Sequence, residues 1–146
     1  MTPDDSTARA ITVLLVEDDE IDQRQCRRAL TRSGRIRACI EVTQCAEARF
    51  ILTSPAAAAV DLVLLDLNLP DGEGLQLLDS LASESWDAPP VCLMLSQAPT
   101  ADMQRRISAS GMVWDCLSKP MSPADAARLI DRLPPAASRR DSGTGA

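Results

Sequence analysis

The sequence has 146 residues, 45% hydrophobic and 25% charged, and this composition suits one globular domain with a sizeable core. Its 15 basic and 21 acidic residues give a net charge of −6, which disfavours nucleic-acid binding because phosphate contacts need a basic face. The sequence contains no histidine, which excludes Ser-His-Asp and Cys-His catalytic pairs, imidazole metal sites and a role as a histidine kinase or histidine phosphotransfer module.

The sequence also lacks the features of membrane and exported proteins. No stretch approaches the roughly 20 consecutive apolar residues that cross a bilayer, and residues 1–10 lack the basic region of a signal peptide. The five cysteines are odd in number and show no C-x-x-C spacing, so neither a disulfide framework nor a zinc site is favoured. We therefore expect a cytoplasmic protein without membrane contact.

Five short apolar runs along the chain predict β-strands, because each is bounded by polar or turn residues. They span residues 11–16, 36–42, 60–65, 90–95 and 113–117. Residues at helical spacing follow every run and predict five helices. These residues are Ile21, Gln25, Cys26, Ala29 and Leu30; Cys45, Ala48, Ile51 and Leu52; Leu75, Leu78 and Leu81; Met103 and Ile107; and Ala126, Ile130 and Leu133.

Start and stop signals support these helices. Ser122 followed by Pro123 predicts a capped start for the fifth helix, and Thr100 predicts a cap for the fourth. Gly34 and Gly111 come where the first and fourth helices should end.

Five repeats of strand and helix predict an α/β fold: a five-stranded parallel sheet that is doubly wound, with helices on both faces. We expect residues 10–133 to form this domain, and residues 1–9 and 134–146 to be disordered ends. The short remainder after the fifth helix is too small for an output module such as a helix-turn-helix, so the sequence predicts a stand-alone domain.

Acidic residues follow two central strands of this sheet. The first strand runs directly into Glu17 and Asp18, and the third runs directly into Asp66. Because ligands of open α/β sheets bind at the carboxyl ends of the strands, these three acids should share a pocket. Two unit charges ~4 to 5 Å apart repel by roughly 3 to 4 kcal/mol at an effective dielectric near 20, so three carboxylates need a cation, and Mg²⁺ suits their oxygen ligands.

An alternative is that the acids are solvated residues at a helix start, where the helix dipole favours negative charge. This accounts for Asp19, Glu20 and Asp22, but not for Asp66, which ends an apolar strand. Lys119 is the only lysine, and it follows the fifth strand, so its ammonium should pair with Asp66 at the same edge. Ser96 ends the fourth strand there and offers a hydroxyl donor.

Four segments together, LLVEDDE (14–20), LVLLDLNLPDGEGL (62–75), LMLS (93–96) and LSKP (117–120), resemble the receiver domain of two-component response regulators. The resemblance covers residues 11 to 133 and implies a flavodoxin-like strand order of 2-1-3-4-5. It also implies phosphorelay signalling in which a histidine kinase or histidine phosphotransfer protein delivers a phosphoryl group, and another protein is the output. A homodimer is a further possibility, and no enzymatic turnover beyond self-catalysed phosphorylation and dephosphorylation is expected.

The resemblance implies a role for each site residue. Asp66 would be the phosphoacceptor, with Ser96 and Lys119 holding the phosphoryl oxygens. Asp18 would be a direct Mg²⁺ ligand, Glu17 a ligand through water, and Asn68 a ligand through its backbone carbonyl. In the family, the movement of the hydroxyl at the position of Ser96 frees space for an aromatic side chain three residues before the lysine, and this acts as a switch.

The sequence departs from the family at that switch, because the position holds Cys116. Strand alternation places Trp114 on the same side as Cys116 and near the site, so Trp114 is a candidate replacement for the aromatic switch, against a simple packing role. Seven residues separate Gly111 from Lys119 where six are common. Gln97 also stands where the family usually has a small residue, and both departures would slow phosphate entry or loss.

Arginines are concentrated on the first helix. Arg24, Arg27 and Arg28 form either a solvated face that balances the acidic pocket or a docking surface for a partner, since receivers commonly meet the kinase or phosphotransfer protein beside this helix.

Three other functions remain as alternatives. The first is a degenerate receiver-like module that binds proteins without accepting phosphate. The second is a phosphatase of the haloacid dehalogenase type, whose D-x-D motif Asp66-Leu67-Asn68 half resembles, although that family carries the motif on its first strand. The third is an FMN binder, which the acids after the first strand disfavour because they repel phosphate.

Overall fold

The computed structural model describes residues 10–83 and 89–134. Its main sheet has five strands: β1 Ile11–Val16, β2 Ile36–Val42, β3 Leu62–Asp66, β4 Val91–Leu95 and β5 Val113–Ser118. The strands are parallel, lie in the order β2-β1-β3-β4-β5 and are flanked by five α-helices. The helices are α1 Glu20–Arg32, α2 Cys45–Leu52, α3 Gly74–Ala82, α4 Ala101–Ala109 and α5 Pro123–Asp131. The predicted α/β fold and its strand order are confirmed.

Two features between these elements were not predicted. A 3-10 helix, Pro55–Ala59, leads into β3, and a small antiparallel hairpin formed by Asn68–Leu69 and Gly72–Glu73 leads out of it. The predicted disordered ends, 1–9 and 134–146, lie outside the described residues except for Pro134.

The apolar strands divide the core into two layers, one on each face of the sheet. Along β1, Leu14 and Val16 face the layer under α2 and α3, whereas Val13 and Leu15 face the layer under α1 and α5. Every residue of β1, β3 and β4 is buried, as expected for strands covered on both faces. This burial holds the carboxyl ends of three neighbouring strands in fixed positions.

The helix signals in the sequence act as predicted. The Ser122 hydroxyl accepts from the Asp125 N–H while the Asp125 side chain accepts from the Ser122 N–H, which makes a capping box at α5. Thr100 caps α4 by accepting from the Met103 N–H at 3.1 Å. Gly34 has φ +74° just beyond α1, a conformation that glycine adopts without strain.

The edge strand β5 contains a one-residue bulge. Val113 pairs with Val91 but Asp115 pairs with Cys92, so Trp114 is an extra residue opposite β4. This bulge absorbs the additional residue between Gly111 and Lys119, and it interrupts the alternation of side chains along the strand.

Gly74 lies where the start of α3 meets the end of β3. A Cβ atom there would lie 2.7 Å from the Asp66 carbonyl oxygen and 3.2 Å from the Leu65 Cγ, so no other residue fits without a backbone shift. We expect Gly74→Ala to lower the free energy of unfolding by about 1–3 kcal/mol, because overpacking displaces backbone in a dense core. Chemical denaturation measures the change.

Gly111→Ala is the matched control for this variant, because its Cβ would have nothing within 4 Å. We expect it to change stability by less than about 0.5 kcal/mol. Equal stability of the two variants would contradict the close approach of α3 to Asp66.

Within residues 10–83 and 89–134, no helix has the length and apolar character needed to span a membrane.

Candidate functional site

Three acids converge at the carboxyl edge of the sheet, as predicted. β1 ends at Val16 and is followed by Glu17 and Asp18, while β3 ends at Asp66. One carboxylate oxygen from each of the three lies within 4.8 Å of the others. Glu17 and Asp66 are buried, with 3% and 7% exposure, whereas Asp18 is exposed. The predicted shared pocket therefore exists.

Lys119 enters this pocket from the end of β5. Its Nζ lies 2.6 Å from Glu17 Oε1 and 3.3 Å from Asp66 Oδ1, and its backbone N–H donates to the Leu95 carbonyl at 2.8 Å. The predicted pairing with Asp66 is confirmed. The Nζ also lies 3.0 Å from Asp22 Oδ2, so the ammonium contacts three carboxylates.

The burial of these charges changes their pKa values. Burial raises the pKa of Glu17 from 4.5 to about 7, although hydrogen bonds from Lys119 and the Asp19 N–H oppose the shift. Burial alone would lower the pKa of Lys119, but its hydrogen bonds to Glu17 and Asp22 outweigh that effect and raise it. Lys119 is therefore a permanent cation at neutral pH.

The acids fit a hard divalent cation. Glu17, Asp18 and Asp66 together carry more negative charge than the single ammonium of Lys119 neutralises, and their ligand atoms are carboxylate oxygens. Mg²⁺ prefers oxygen ligands and is commonly held by one or two carboxylates with water.

Ser96 and Asn68 share a groove next to the carboxyl ends of β4 and β3. Both line a groove of about 240 Å³ between the loop after β3 and the loop from β4 to α4, together with Gln97, Thr100 and Met103. Both side chains are exposed at this groove. The structure therefore places Ser96, with the predicted hydroxyl, and Asn68, with the predicted backbone carbonyl, just after the carboxyl ends of β4 and β3.

The prediction that Trp114 shares a face with Cys116 was wrong. Cys116 packs against the core layer under α2 and α3, whereas Trp114 packs against the layer under α1 and α5. The Arg132 guanidinium lies 5.3 Å from the centroid of the Trp114 ring. The bulge at Trp114 causes this difference, because it breaks the alternation on which the prediction rested.

The expectation that Trp114 lies near the acidic site was also wrong. Trp114 belongs to the start of β5, opposite the beginning of β4, and lines a groove with Pro89, Pro90 and Pro134 at the other edge of the sheet. Its candidate role as the switch loses its geometric basis.

The arginines of α1 divide into two kinds. Arg27 donates to both carboxylate oxygens of Glu41 at 3.0 and 2.8 Å, which fixes it against β2. Arg24 and Arg28 are exposed, and Arg24 lies 3.9 Å from Glu20. Ile21, one of the residues at helical spacing that predict this helix, is 64% exposed on its first turn.

Two acids make contacts that were not predicted from the sequence. Asp22 contacts Lys119, although the sequence predicts it to be a solvated residue at the start of a helix. The available signal is its spacing to Cys26 and Ala29, since residues i, i+4 and i+7 share a helix face.

Asp71 lies outside α2 but caps it, because its carboxylate accepts from the backbone N–H groups of Cys45 and Ala46 at 2.7 and 3.0 Å. These bonds lower the pKa of Asp71 and join the hairpin after Asp66 to α2.

The raised pKa of Glu17 makes stability depend on pH. Between pH 4.5 and about 7 the folded chain keeps a proton that the unfolded chain has released. The metal-free protein should therefore become less stable as pH rises through this window, and Mg²⁺ should bind more tightly, because it needs the ionised carboxylate.

Denaturation in EDTA and calorimetric Mg²⁺ titration across the window measure both trends. Glu17→Gln is the control, because glutamine does not titrate. In this variant both stability and Mg²⁺ affinity should depend less on pH than in the parent. Stability that rises with pH equally in the parent and in Glu17→Gln would contradict the assignment to Glu17.

The structure combines a five-stranded parallel sheet with three acids and a lysine at its carboxyl edge, the arrangement that the resemblance to receiver domains implies. The family model of the response regulator receiver domain matches residues 13–131. The chain belongs to this family, the receiver domains of two-component response regulators.

Known proteins show the same relationship. The chain is 39% identical over 138 residues to the transcriptional activator protein PfeR of Pseudomonas aeruginosa, and this match covers 88% of this chain and 42% of PfeR. The chain is also 33% identical over 108 residues to the KDP operon transcriptional regulatory protein KdpE of Escherichia coli, and this match covers 74% of this chain and 44% of KdpE. The chain thus spans less than half the length of these curated relatives.

The fold matches a solved structure of a two-component response regulator from Cytophaga hutchinsonii. The TM-score is 0.74 and the identity is 25%, with 85% of this chain and 96% of that one covered.

Proposed function

We propose that this receiver domain accepts a phosphoryl group on Asp66 from a phosphohistidine of a histidine kinase or histidine phosphotransfer protein and then signals by protein contacts. The observation that carries the proposal is the cluster of Glu17, Asp18 and Asp66 at the carboxyl edge of the sheet, with Lys119 bound to Glu17 and Asp66. The free thiols suit a reducing compartment, so we place this function in the cytoplasm.

The donor set for a metal ion is present beside the acceptor. Glu17, Asp18, Asp66 and the backbone carbonyl of Asn68 would hold Mg²⁺, Glu17 through water. When bound, the ion supplies positive charge that offsets repulsion between the Asp66 carboxylate and the phosphoryl oxygens.

Asp66 would act as the nucleophile. A carboxylate oxygen attacks phosphorus, the P–N bond to the donor imidazole breaks, and the imidazole leaves with that electron pair. The buried backbone of β3 and the contact with Gly74 hold Asp66 in place, so positioning is the main contribution of the protein. Lys119 and Ser96 would hold the phosphoryl oxygens, Lys119 by charge and Ser96 by its hydroxyl.

The surface formed by α4 and β5 would carry the output. α4 has no fully buried residue, and Met103 and Ile107 pack only partly against the core. A helix held by few buried contacts changes position at low cost, so a new bond from Ser96 to a phosphoryl oxygen can move it. With Cys116 in place of an aromatic residue, the movement of α4 itself is the signal, read by another protein or by a second copy of the chain.

The exposed start of α1 would receive the phosphodonor protein. Ile21 offers an exposed apolar contact one turn from Asp18, and Arg24 and Arg28 surround it with positive charge. Arg27 contributes less because Glu41 holds it. A partner with an apolar patch and acidic rim would fit this surface.

A titration with beryllofluoride, a phosphoryl mimic, tests the proposal. We expect saturable NMR shifts around Asp66, Ser96 and Lys119 that require Mg²⁺, and none in Asp66→Asn. Asp79→Asn is the matched control, because this carboxylate is exposed on α3. NMR is preferred to tryptophan fluorescence because Trp114 lies at the opposite edge of the sheet.

The same samples separate the alternatives. A degenerate binding module would show no response to Mg²⁺ and beryllofluoride, and that result would overturn the proposal. A phosphatase of the haloacid dehalogenase type would turn over p-nitrophenyl phosphate steadily, whereas we expect none, because Asn68 cannot serve as the second acid and Asp66 lies on β3.

A further inference from the structure

We propose that Asp22 is a positioning residue that binds the Lys119 ammonium beside the phosphoryl site, so that an incoming phosphoryl group must compete with Asp22 for the ammonium. The inference rests on the proposed function of Asp66, and it adds a residue that regulates how readily the site accepts phosphate.

The contacts of Lys119 define the competition. Its Nζ lies within 3.3 Å of Glu17, Asp66 and Asp22, one oxygen from each. An ammonium has three N–H donors, and Lys119 makes hydrogen bonds to Glu17 and Asp22 while it forms an ion pair with Asp66 at 3.3 Å. A phosphoryl oxygen on Asp66 must therefore share the ammonium with Glu17 and Asp22.

Asp22 is the partner that Lys119 can leave most easily. Its side chain is 32% exposed, against 4% for Glu17 and 9% for Asp66, so water can replace the ammonium at Asp22. Glu17 is almost fully buried, so loss of the ammonium there is costly, and Asp66 is the residue on which the phosphoryl group would form. Asp22 also lies outside the three-acid cluster, so its release leaves the metal ligands in place.

The backbone fixes Asp22 in this position. The Asp22 N–H donates to the Asp19 side chain at 3.0 Å, which caps α1. The first turn then directs the Asp22 carboxylate along the stripe of Cys26 and Ala29, toward the sheet edge where Lys119 ends β5. The cavity beside the ion pair, which is lined by Asp22, Gln25 and Met121 among others, has a volume of only about 10 Å³. The ammonium therefore has little space to move away from its three carboxylate contacts on this side.

Replacing the Asp22 carboxylate should leave Lys119 with Glu17 and Asp66 as charged partners and make the ammonium more available to a phosphoryl oxygen. We expect Asp22→Asn to tighten beryllofluoride binding by roughly three- to ten-fold, the range of a partly exposed charged hydrogen bond. Phosphorylation by acetyl phosphate should accelerate by a similar factor. Asp22→Ala should behave in the same way and provides a second variant.

Glu20→Gln is the matched control. It removes the same charge from the same turn of α1, but Glu20 is 83% exposed and its contact is with Arg24 at 3.9 Å. A general effect of charge or of the helix dipole would appear in both variants. An effect through Lys119 appears in Asp22→Asn alone.

The single lysine allows a direct readout. ¹⁵N-lysine labelling gives one ammonium signal, because Lys119 is the only lysine in the sequence. We expect faster hydrogen exchange of this ammonium in Asp22→Asn without Mg²⁺ or beryllofluoride, and unchanged exchange in Glu20→Gln. A merely structural role of Asp22 would not produce this difference.

The outcomes separate the two proposals. If the parent binds beryllofluoride but Asp22→Asn binds it no more tightly, or if Glu20→Gln gains as much, the role of Asp22 is overturned while the proposed function stands. If neither the parent nor the variants bind beryllofluoride, the proposed function fails, and this inference fails with it.

Discussion

Lys119→Met is expected to destabilise the metal-free protein by about 3–5 kcal/mol at neutral pH, the usual effect of removing one partner from a buried ion pair. The substitution leaves Glu17 and Asp66 buried side by side without the ammonium that lies between them. Part of the loss should return at low pH, because protonation of Glu17 removes one of the charges. Chemical denaturation in EDTA at several pH values measures the effect.

Mg²⁺ should restore part of the stability of this variant. The ion and the ammonium compete for the same carboxylates, so Mg²⁺ should bind more tightly to Lys119→Met than to the parent, while phosphorylation falls. A ligand at 100 times its dissociation constant stabilises by about 2.7 kcal/mol. Calorimetric titration and denaturation with Mg²⁺ test both points.

Arg105→Met is the control for this prediction. Arg105 pairs with Asp102 on α4, but both side chains are highly exposed, at 73% and 80%. We expect a change below about 1 kcal/mol, as for most surface ion pairs. If Lys119→Met were no more destabilising than Arg105→Met, Lys119 would not hold the acids together.

Asp66→Asn is expected to abolish phosphorylation and to weaken Mg²⁺ binding by roughly ten-fold or more. An amide oxygen is a poor nucleophile, and the substitution removes one negative charge from the ligand set, where a unit charge at ~4 to 5 Å is worth roughly 3 to 4 kcal/mol. Calorimetry gives the metal affinity, and gel shift after acetyl phosphate gives phosphorylation. Asp79→Asn should match the parent in both measurements, and loss of function there would contradict the assignment.

The acidic site could be predicted because parallel strands constrain it. Parallel strands that run side by side end at one edge of the sheet, so residues at or directly after the ends of β1, β3 and β5 lie along that edge. Glu17, Asp66 and Lys119 are such residues. Their positions follow from the apolar runs alone, and the resemblance to receivers then assigned their roles.

Trp114 could not be placed in this way. Alternation fixes which face a side chain takes only while the register is unbroken, and one extra residue reverses it. The signal was the length of the segment from Gly111 to Lys119, which indicates an insertion but not where the strand absorbs it. The pairing of β5 with β4 shows that the strand accommodates the extra residue at Trp114.

Asp22 shows a different limit. The acids after β1 suggested a solvated helix start, and that is correct for Asp19, which caps α1. Which side of the first turn faces the sheet depends on the rotation of the helix, and the apolar stripe fixes that rotation. Because the buried residues are Cys26, Ala29 and Leu30, the stripe extends back to Asp22 and leaves Ile21 exposed.

Mass spectrometry after treatment with acetyl phosphate and Mg²⁺ tests the central claim most directly. We expect the parent to gain one phosphoryl group, fragmentation or borohydride trapping to locate it at Asp66, and EDTA to prevent the gain. Modification at another residue, or an equal gain in Asp66→Asn, would contradict the assignment of Asp66 as the phosphoacceptor.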